Sequence, residues 1–440
     1  MAEYKTVRGM RDMLPGDAER LRQVESQART VAKQYGYGEI VTPIVESHEL
    51  LSAKAGEEVK SRMFVFKDLG GRDVALRPEF TASVARLVAT ALRNVARPLR
   101  LFSVGSVYRY DEPQKGRYRE FWQTNYELMG SARPEADAET LLLTNRLMQA
   151  NGLKKFAFKV GHVGILKGVL TEEELSENVQ AAVLQLMDKK QYEEALSLVK
   201  SAGSSPKGVN TLRSLVEQRG TEVQATVARI AKIVADYERS VQAAKNLEEI
   251  LNLVLKSGCT TELTVDAGFA RGLEYYTGFI FEVYVPDLDI ALGGGGRYDR
   301  LIELFGGDPT PAVGVAHGVD RIMLALQGQQ TEKPVEMENE VMVVPIREKL
   351  KAEALRVAEQ LRNQGLRVDL EIMGRKMARA LEDADKRGFK YVILIGENEL
   401  KEGAVVVKDL VKREQNTVKI EQVPDLVKGS KKPCERTQES

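Results

Sequence analysis

Strand patterns run through the first part of this chain, vanish between Leu170 and Lys256, and resume at Leu263. Inside the gap Leu, Val and Ala recur at spacings of three and four, with Glu, Lys and Gln between them, which is helical patterning. A sheet that begins before such a stretch and resumes after it is one unit made of two pieces of sequence. The strand signals lie at 39–45, 63–67, 74–76, 101–110, 121–129, 156–160, 263–266 and 279–285. Short helices and turns separate them, so the expectation is an α+β unit on a mainly antiparallel sheet with a helical insertion. Ahead of it, Leu21, Val24, Ala28, Val31, Ala32 and Tyr35 predict an amphipathic helix that stops at Gly36. Pro43 breaks the strand that follows, as expected of an edge, and such an edge suits a subunit interface.

The polar stretch 327–340, with Pro334, reads as a linker. Beyond it, strand patterns at 341–346, 366–372 and 391–395 alternate with helical ones at 349–364 and 377–387, a small α/β domain. The expected organisation is therefore 1–169 with 257–326 as the sheet unit, 170–256 as the insertion, 341–428 as the α/β domain and 429–440 as a polar tail. Lys plus Arg and Asp plus Glu number 64 each, so any nucleic-acid surface must be local. Residues 341–440 hold 21 basic and 17 acidic residues, a surplus of four. Two distant cysteines, Cys259 and Cys434, argue against a disulfide framework or a cysteine metal site and fit a reducing cytoplasm. The three histidines are too scattered to suggest a metal cluster, and neither a secretory leader nor a membrane span is expected.

Two segments carry the chemistry. Arg271-Gly-Leu-Glu-Tyr-Tyr-Thr-Gly278 sets an arginine beside two tyrosines, and Gly293-Gly-Gly-Gly-Arg-Tyr-Asp299 follows about twenty residues on. They suggest a pocket for a small ligand and a phosphate, although tyrosines in a strand and a glycine turn would also account for them. Upstream, Arg109 ends an apolar alternation where its guanidinium could fork onto phosphate oxygens, and Lys115, Arg117 and Arg119 make the next loop electropositive. Glu79 and Thr81 add a carboxylate and a hydroxyl, while Gln123 and Glu127 share one face of a strand. Acceptors for an ammonium beside arginines for a carboxylate and phosphate fit an amino acid plus ATP.

Those segments resemble the class II aminoacyl-tRNA synthetases, and within them the histidyl-tRNA synthetase family. The helix to Tyr35 with Glu39–Val45 resembles the dimer-forming motif 1, Val107–Glu127 the motif 2 hairpin, and Ala312–Arg321 motif 3. The segments at Arg271 and Gly293 resemble the two peptides peculiar to the histidyl enzymes. The resemblance implies that Arg109 grips the α-phosphate and the substrate carboxylate, that Arg321 meets the γ-phosphate, and that Arg271 acts at the α-phosphate. Arg109 and Arg271 are the catalytic candidates. It implies further that Glu79, Thr81 and Gln123 take the α-amino group, that Glu127 and Tyr276 hold the imidazole nitrogens, and that Tyr275 lines the histidine pocket. Phe80 falls in the same histidine site where a glycine is frequent, and Asp111 stands where a glutamate commonly meets adenine. Trp122 replaces a residue often histidine.

By the same resemblance, Gln114, Lys115 and Arg117 touch the tRNA acceptor end, and the C-terminal domain binds the anticodon. ATP with Mg²⁺, L-histidine and tRNA(His) are the implied substrates and cofactor, and a cytoplasmic homodimer the implied form. The histidine-binding regulatory subunit of ATP phosphoribosyltransferase is the alternative on this fold, but such proteins typically lack the C-terminal domain.

Overall fold

The computed structural model describes residues 4–53, 55–114, 116–271, 275–286, 291–332 and 341–428. The chain divides into two compact units, Met1–Pro334 and Val335–Ser440.

The first unit opens with the helix Pro15–Gln34, whose proline at the start costs no hydrogen bond because the first N–H groups have no helical partner. Leu21, Val24, Ala28, Val31 and Ala32 are its buried stripe, and Gly36, at φ 75°, takes the left-handed turn that ends it. Its strands are β1 (Gly38–Glu39), β2 (Val45–Ser47), β3 (Val65–Lys67), β4 (Asp73–Leu76), β5 (Leu99–Tyr108), β6 (Glu120–Met129), β7 (Ala157–His162), β8 (Arg219–Gly220), β9 (Leu263–Asp266), β10 (Phe279–Tyr284), β11 (Ala291–Arg297) and β12 (Ala312–Gly318). Nine of them form one sheet in the order β1-β5-β6-β12-β11-β10-β7-β9-β8, and β2, β4 and β3 form a second, small sheet.

The large sheet is mixed, which corrects the expectation of a mainly antiparallel one. Its centre, β5 to β7, is antiparallel, but β1 lies parallel to β5 and β7 parallel to β9. Strand patterning shows which face is buried and says nothing about a partner's direction. A parallel pair needs a long crossover, and here the crossover of β7 to β9 is the helical stretch from Val163 to Lys256. Its side chains Val183, Leu196, Leu212, Ile230 and Leu251 share one continuous core with Phe158 and Phe281 of the sheet. The stretch also contains β8, two residues of strand that no local pattern announced.

Three other expectations change. The strand foreseen over 39–45 divides into β1 and β2, with Pro43 between them, because proline has no N–H for a ladder. The glycine run, weighed above as a turn, is central strand β11, flanked by β10 and β12. The helix Val319–Gly328 extends into the first residues of the foreseen linker, and 333–340 lie outside the described residues.

In the second unit β13 (Val341–Pro345), β14 (Val368–Leu370), β15 (Tyr391–Ile395), β16 (Ala404–Asp409) and β17 (Glu414–Lys419) order as β14-β13-β15-β16-β17. β13 runs parallel to both neighbours, with the helices Lys351–Asn363 and Met377–Lys386 between the parallel strands in sequence. The tail from 429 lies outside the described residues.

Candidate active site

β5 and β6 pair without interruption from Leu99↔Met129 to Tyr108↔Glu120. That hairpin sets Arg109 just past the end of β5, where its N–H donates to the Arg119 carbonyl at 3.0 Å. The Arg109 Nε donates to the Pro78 carbonyl at 2.9 Å, and its guanidinium stands over the Phe121 ring at 5.6 Å. Pro78 leads into the helix Thr81–Ala89, whose first N–H groups would otherwise have no acceptor. The Glu79 carboxylate takes them, accepting from the Thr81 N–H and from the Ala82 N–H at 2.9 Å. The Arg109 guanidinium and the Glu79 carboxylate are thereby fixed to the same short turn.

Glu79, Thr81, Arg109, Asp111, Arg117 and Gln123 line one cavity of about 300 Å³, together with Arg271, Tyr275, Tyr276 and Arg321. Glu127 lies beneath it, buried, accepting from Thr81 Oγ1 at 2.7 Å, from Asn125 Nδ2 at 3.0 Å and from the Tyr298 hydroxyl. Burial pushes the Glu127 carboxyl up to about 7, against the pull of Tyr298, Thr81 and Asn125 and with a further push from Glu79. Burial likewise raises Glu79, although its helix-capping bonds oppose this. The Gln123 Oε1, the Asn125 Oδ1 and the Arg271 Nε are buried with no hydrogen-bond partner among the described residues. Buried polar atoms without partners are rare and mark places where a ligand completes the bonding.

Arg271 Nη1 donates to the Glu282 carboxylate at 3.1 Å and to the Phe281 carbonyl at 3.4 Å, both on β10. The guanidinium crosses β11 at Gly294: a Cβ there would fall within it. This accounts for a glycine in a central strand, where glycine otherwise weakens the sheet. The close approach to β11 at Gly294 is thus made by the Arg271 side chain. Gly314 of β12, directly across the ladder from Glu127, has the same logic, since its Cβ would collide with the Glu127 carboxylate.

Cations converge. Arg321 donates to the Ala291 carbonyl at 2.8 Å, and burial first, then the neighbouring charges of Arg109 and Arg117, bring its guanidinium down to about 10. Burial also opposes the Arg271 charge, but Tyr276, Glu282, Asp188 and Tyr275 hold it above the ordinary value. Both arginines stay charged at neutral pH, and mutual repulsion among Arg109, Arg117 and Arg321 is relieved by an anion.

Some sequence-derived candidates stand elsewhere. Phe80 is core, 1% exposed, packed with Val84 and Val88 under the Arg77 guanidinium, and its side chain does not line the cavity. An apolar ring next to Glu79 and Thr81 in sequence points to the opposite side of the turn. Gln114 is exposed in a bridge with Arg117 at the hairpin tip and does not line the cavity, and Lys115 is outside the described residues. Arg119 is buried, its guanidinium 3.5 Å from the Tyr110 ring centre, and serves the hairpin rather than the loop surface. Arg297, read first as a phosphate residue, turns away from the cavity into a buried pair with Asp137, at 2.6 Å. His162 and His317 are structural: His162 caps the helix Val163–Glu172, and His317 bonds Thr124 and Thr144 in the core. Burial lowers them to about 4 and about 3.

The sequence reading missed Tyr298, Glu282, Asp188 and Asp320, all on the cavity wall. Tyr298 was within the quoted glycine segment, where only its strand register would have revealed it. Asp320 stood inside the segment likened to motif 3, beside Arg321, while Glu282 and Asp188 have no motif of their own.

The family model described as histidyl-tRNA synthetase matches residues 9–322, and one described as an anticodon binding domain matches residues 340–430. A histidine–tRNA ligase of Methanocaldococcus jannaschii is 42% identical over 426 residues, covering 96% of this chain and 99% of its own. Another, from Saccharolobus solfataricus, is 38% identical over 434 residues, with 97% and 99% covered. Among solved structures, apo histidyl-tRNA synthetase from S. aureus is similar at a TM-score of 0.69 and 26% identity, covering 97% of this chain and 100% of that one. An ATP phosphoribosyltransferase regulatory subunit/histidyl-tRNA synthetase from Bacillus halodurans has a TM-score of 0.76 and 27% identity, with 90% and 98% covered. With a full-length match to curated ligases, an anticodon-binding module and a cavity that joins arginines to amine acceptors, this chain belongs to the histidyl-tRNA synthetase family.

Proposed function

We propose a division of labour in this cavity for the family's reaction, in which L-histidine and ATP give histidyl-adenylate and pyrophosphate, and histidine then passes to the 3′-terminal ribose of tRNA(His). Gln123, through its Oε1, which has no hydrogen-bond partner among the described residues, takes the α-ammonium with Glu79 and Thr81. Glu127 and Tyr276 hold the two imidazole nitrogens, and Tyr275 packs the ring. Tyr298 keeps the Glu127 carboxylate in place. A pocket built to bond an imidazole rejects side chains that leave its buried groups unpaired.

Arg109 holds the substrate carboxylate and the α-phosphate, Arg321 the γ-phosphate end, and Asp111 the adenine side. Arg271 reaches the α-phosphate. The carboxylate oxygen attacks the α-phosphorus in line, a new P–O bond forms, and the bond to the departing pyrophosphate breaks. No protein nucleophile is needed, because positioning and fixed positive charge carry the rate. The single observation carrying this reading is the convergence of Arg109, Arg117, Arg271 and Arg321 on a cavity that also presents Glu79 and Gln123.

Acidic groups on the wall are already committed: Asp111 to Arg62 at 2.9 Å, Asp320 to Arg11, and Glu282 to Arg271. Among the described residues no group of three metal-binding side chains occurs. Mg²⁺ therefore belongs to the reading as part of the ATP substrate, bound to its phosphates and water.

Arg117 and Gln114, with Lys115, would meet the acceptor end, and the second unit the anticodon. Val41, Ile44, Val65 and Phe66 form exposed apolar surface near β1, β2 and β3, which a second copy of the chain would cover. A cytoplasmic location goes with tRNA and ATP as substrates. Full-length relatives that are ligases favour charging over the regulatory alternative. Incubating the purified chain with labelled histidine, ATP and tRNA separates them: labelled tRNA supports the reading, and histidine binding with no labelled tRNA favours the regulatory subunit.

A further inference from the structure

The helical crossover between β7 and β9 touches the histidine peptide at several points. Lys167, on the helix Val163–Glu172, donates from Nζ to the Tyr276 carbonyl at 3.0 Å. The N–H of Val163, at the start of that helix, donates to the Gly278 carbonyl at 2.9 Å. Leu184, on the helix Glu177–Asp188, packs against the small cluster of Val163, Phe269, Tyr276 and Ile280. Four residues on, at the last position of the same helix, Asp188 reaches the cavity wall beside Arg271.

Asp188 sits in the wrong place for its own helix. The last turn carries the negative end of the helix dipole, and a carboxylate there is unfavourable unless a cation answers it. Its charge is felt by Arg271 on the same cavity wall, which it helps to hold in the charged form, and Arg271 is itself ion-paired to Glu282 at 3.1 Å. Local rules broken at a cavity wall point to a functional placement.

We infer that this helical crossover is a positioning device for adenylation, with Asp188 as a positioning residue that orients the Arg271 guanidinium and Lys167 as the residue that fixes the backbone at Tyr276. The inference rests on the histidine–ATP reading of the cavity. Asp188 shares the guanidinium with Glu282 and leaves its Nε for the ligand, while Lys167 and Leu184 hold the imidazole-binding tyrosine from behind. The two contacts act on different steps: Asp188 on the phosphate chemistry, Lys167 on histidine binding.

Histidine-dependent ATP–pyrophosphate exchange by the full chain tests this. Asp188→Asn is expected to lower kcat about fivefold, the effect of one partly screened charge pair, with KM for histidine nearly unchanged. Its melting temperature should hold or rise, because the helix end loses an unfavourable charge, and Asp188→Glu should restore most of the rate. Lys167→Met is expected to raise KM for histidine with a smaller effect on kcat. Wild-type kcat and KM in both variants would overturn the inference while leaving the histidine–ATP reading intact. Losses that track a lowered melting temperature would also overturn it, since they would mean a merely structural role. Absence of exchange in the wild-type chain would overturn the reading and the inference together.

Discussion

At the residue scale the account turns on Arg271 and Glu127. Arg271 carries a buried Nε with no hydrogen-bond partner among the described residues and a guanidinium braced on Glu282, an arrangement suited to charge that develops at the α-phosphate. Replacing Arg271 with Ala should lower the exchange rate by roughly a hundredfold or more, as loss of a fixed charge-stabilising donor does, while histidine binding by calorimetry persists. Unchanged turnover would remove its assigned role. Glu127 predicts a pH dependence. Burial raises its carboxyl to about 7, so it is neutral below that pH and ionised above it. A neutral acid loses acceptor capacity for the imidazole N–H, and kcat/KM for histidine should climb as pH rises through about 7. Free histidine titrates nearby, and Glu127→Gln separates the two: the variant should be weaker and should lose that part of the pH profile. An identical profile in the variant would assign the titration to the substrate. Legibility was uneven at this scale. The cavity placement of Arg109 was readable because it follows an apolar strand, and that of Gln123 because it shares a strand face with Glu127. The core placement of the Phe80 ring was not legible, because a resemblance transfers position in the chain and not the side of a turn to which a ring points.

At the scale of elements, β11 shows how function overrides propensity. Four glycines in a central strand lose packing and cost entropy; at Gly294 the gain is space for the Arg271 guanidinium, while Gly293, Gly295 and Gly296 leave room for the neighbouring strands β12 and β10. Gly294→Ala should therefore fold, as judged by circular dichroism, yet lose exchange activity nearly as far as Arg271→Ala does. Full activity in Gly294→Ala would show that the guanidinium has other room. The same strand ends on Arg297, which is joined to Asp137 of the helix Pro134–Asn151 in a buried pair. Burial raises the Asp137 carboxyl to about 6 while Arg297 pulls it back, so the pair is ionised at neutral pH. Asp137→Ala would strand the buried guanidinium and should cost about 3–5 kcal/mol in denaturant unfolding. A loss below 1 kcal/mol would mean that Ser131, Arg133 and Asp299 satisfy Arg297 unaided. The helices were the most legible elements, as Leu21 to Ala32 illustrate with their periodic apolar face. β8 and β11 were the least, because two residues hold no period and glycines carry no side chain to pattern.

For the whole molecule, the stretch between Leu170 and Lys256 holds helices and the two-residue strand β8, and the large sheet takes its other strands from both sides of it. The parallel pairing of β7 with β9 across that stretch was invisible, because side-chain alternation is the same in either direction. The exposed apolar group Val41, Ile44, Val65 and Phe66 belongs at a subunit interface on this account. Sedimentation should find a dimer, and Phe66→Glu should shift it toward monomer; a wild-type monomer at micromolar concentration would contradict the interface. The central claim is that the cavity activates histidine with ATP, and ATP–pyrophosphate exchange by the purified chain, measured with each amino acid in turn, tests it most directly. Exchange that depends on histidine and fails with the other amino acids is the predicted result. No exchange with histidine, or exchange driven equally well by another amino acid, would contradict it.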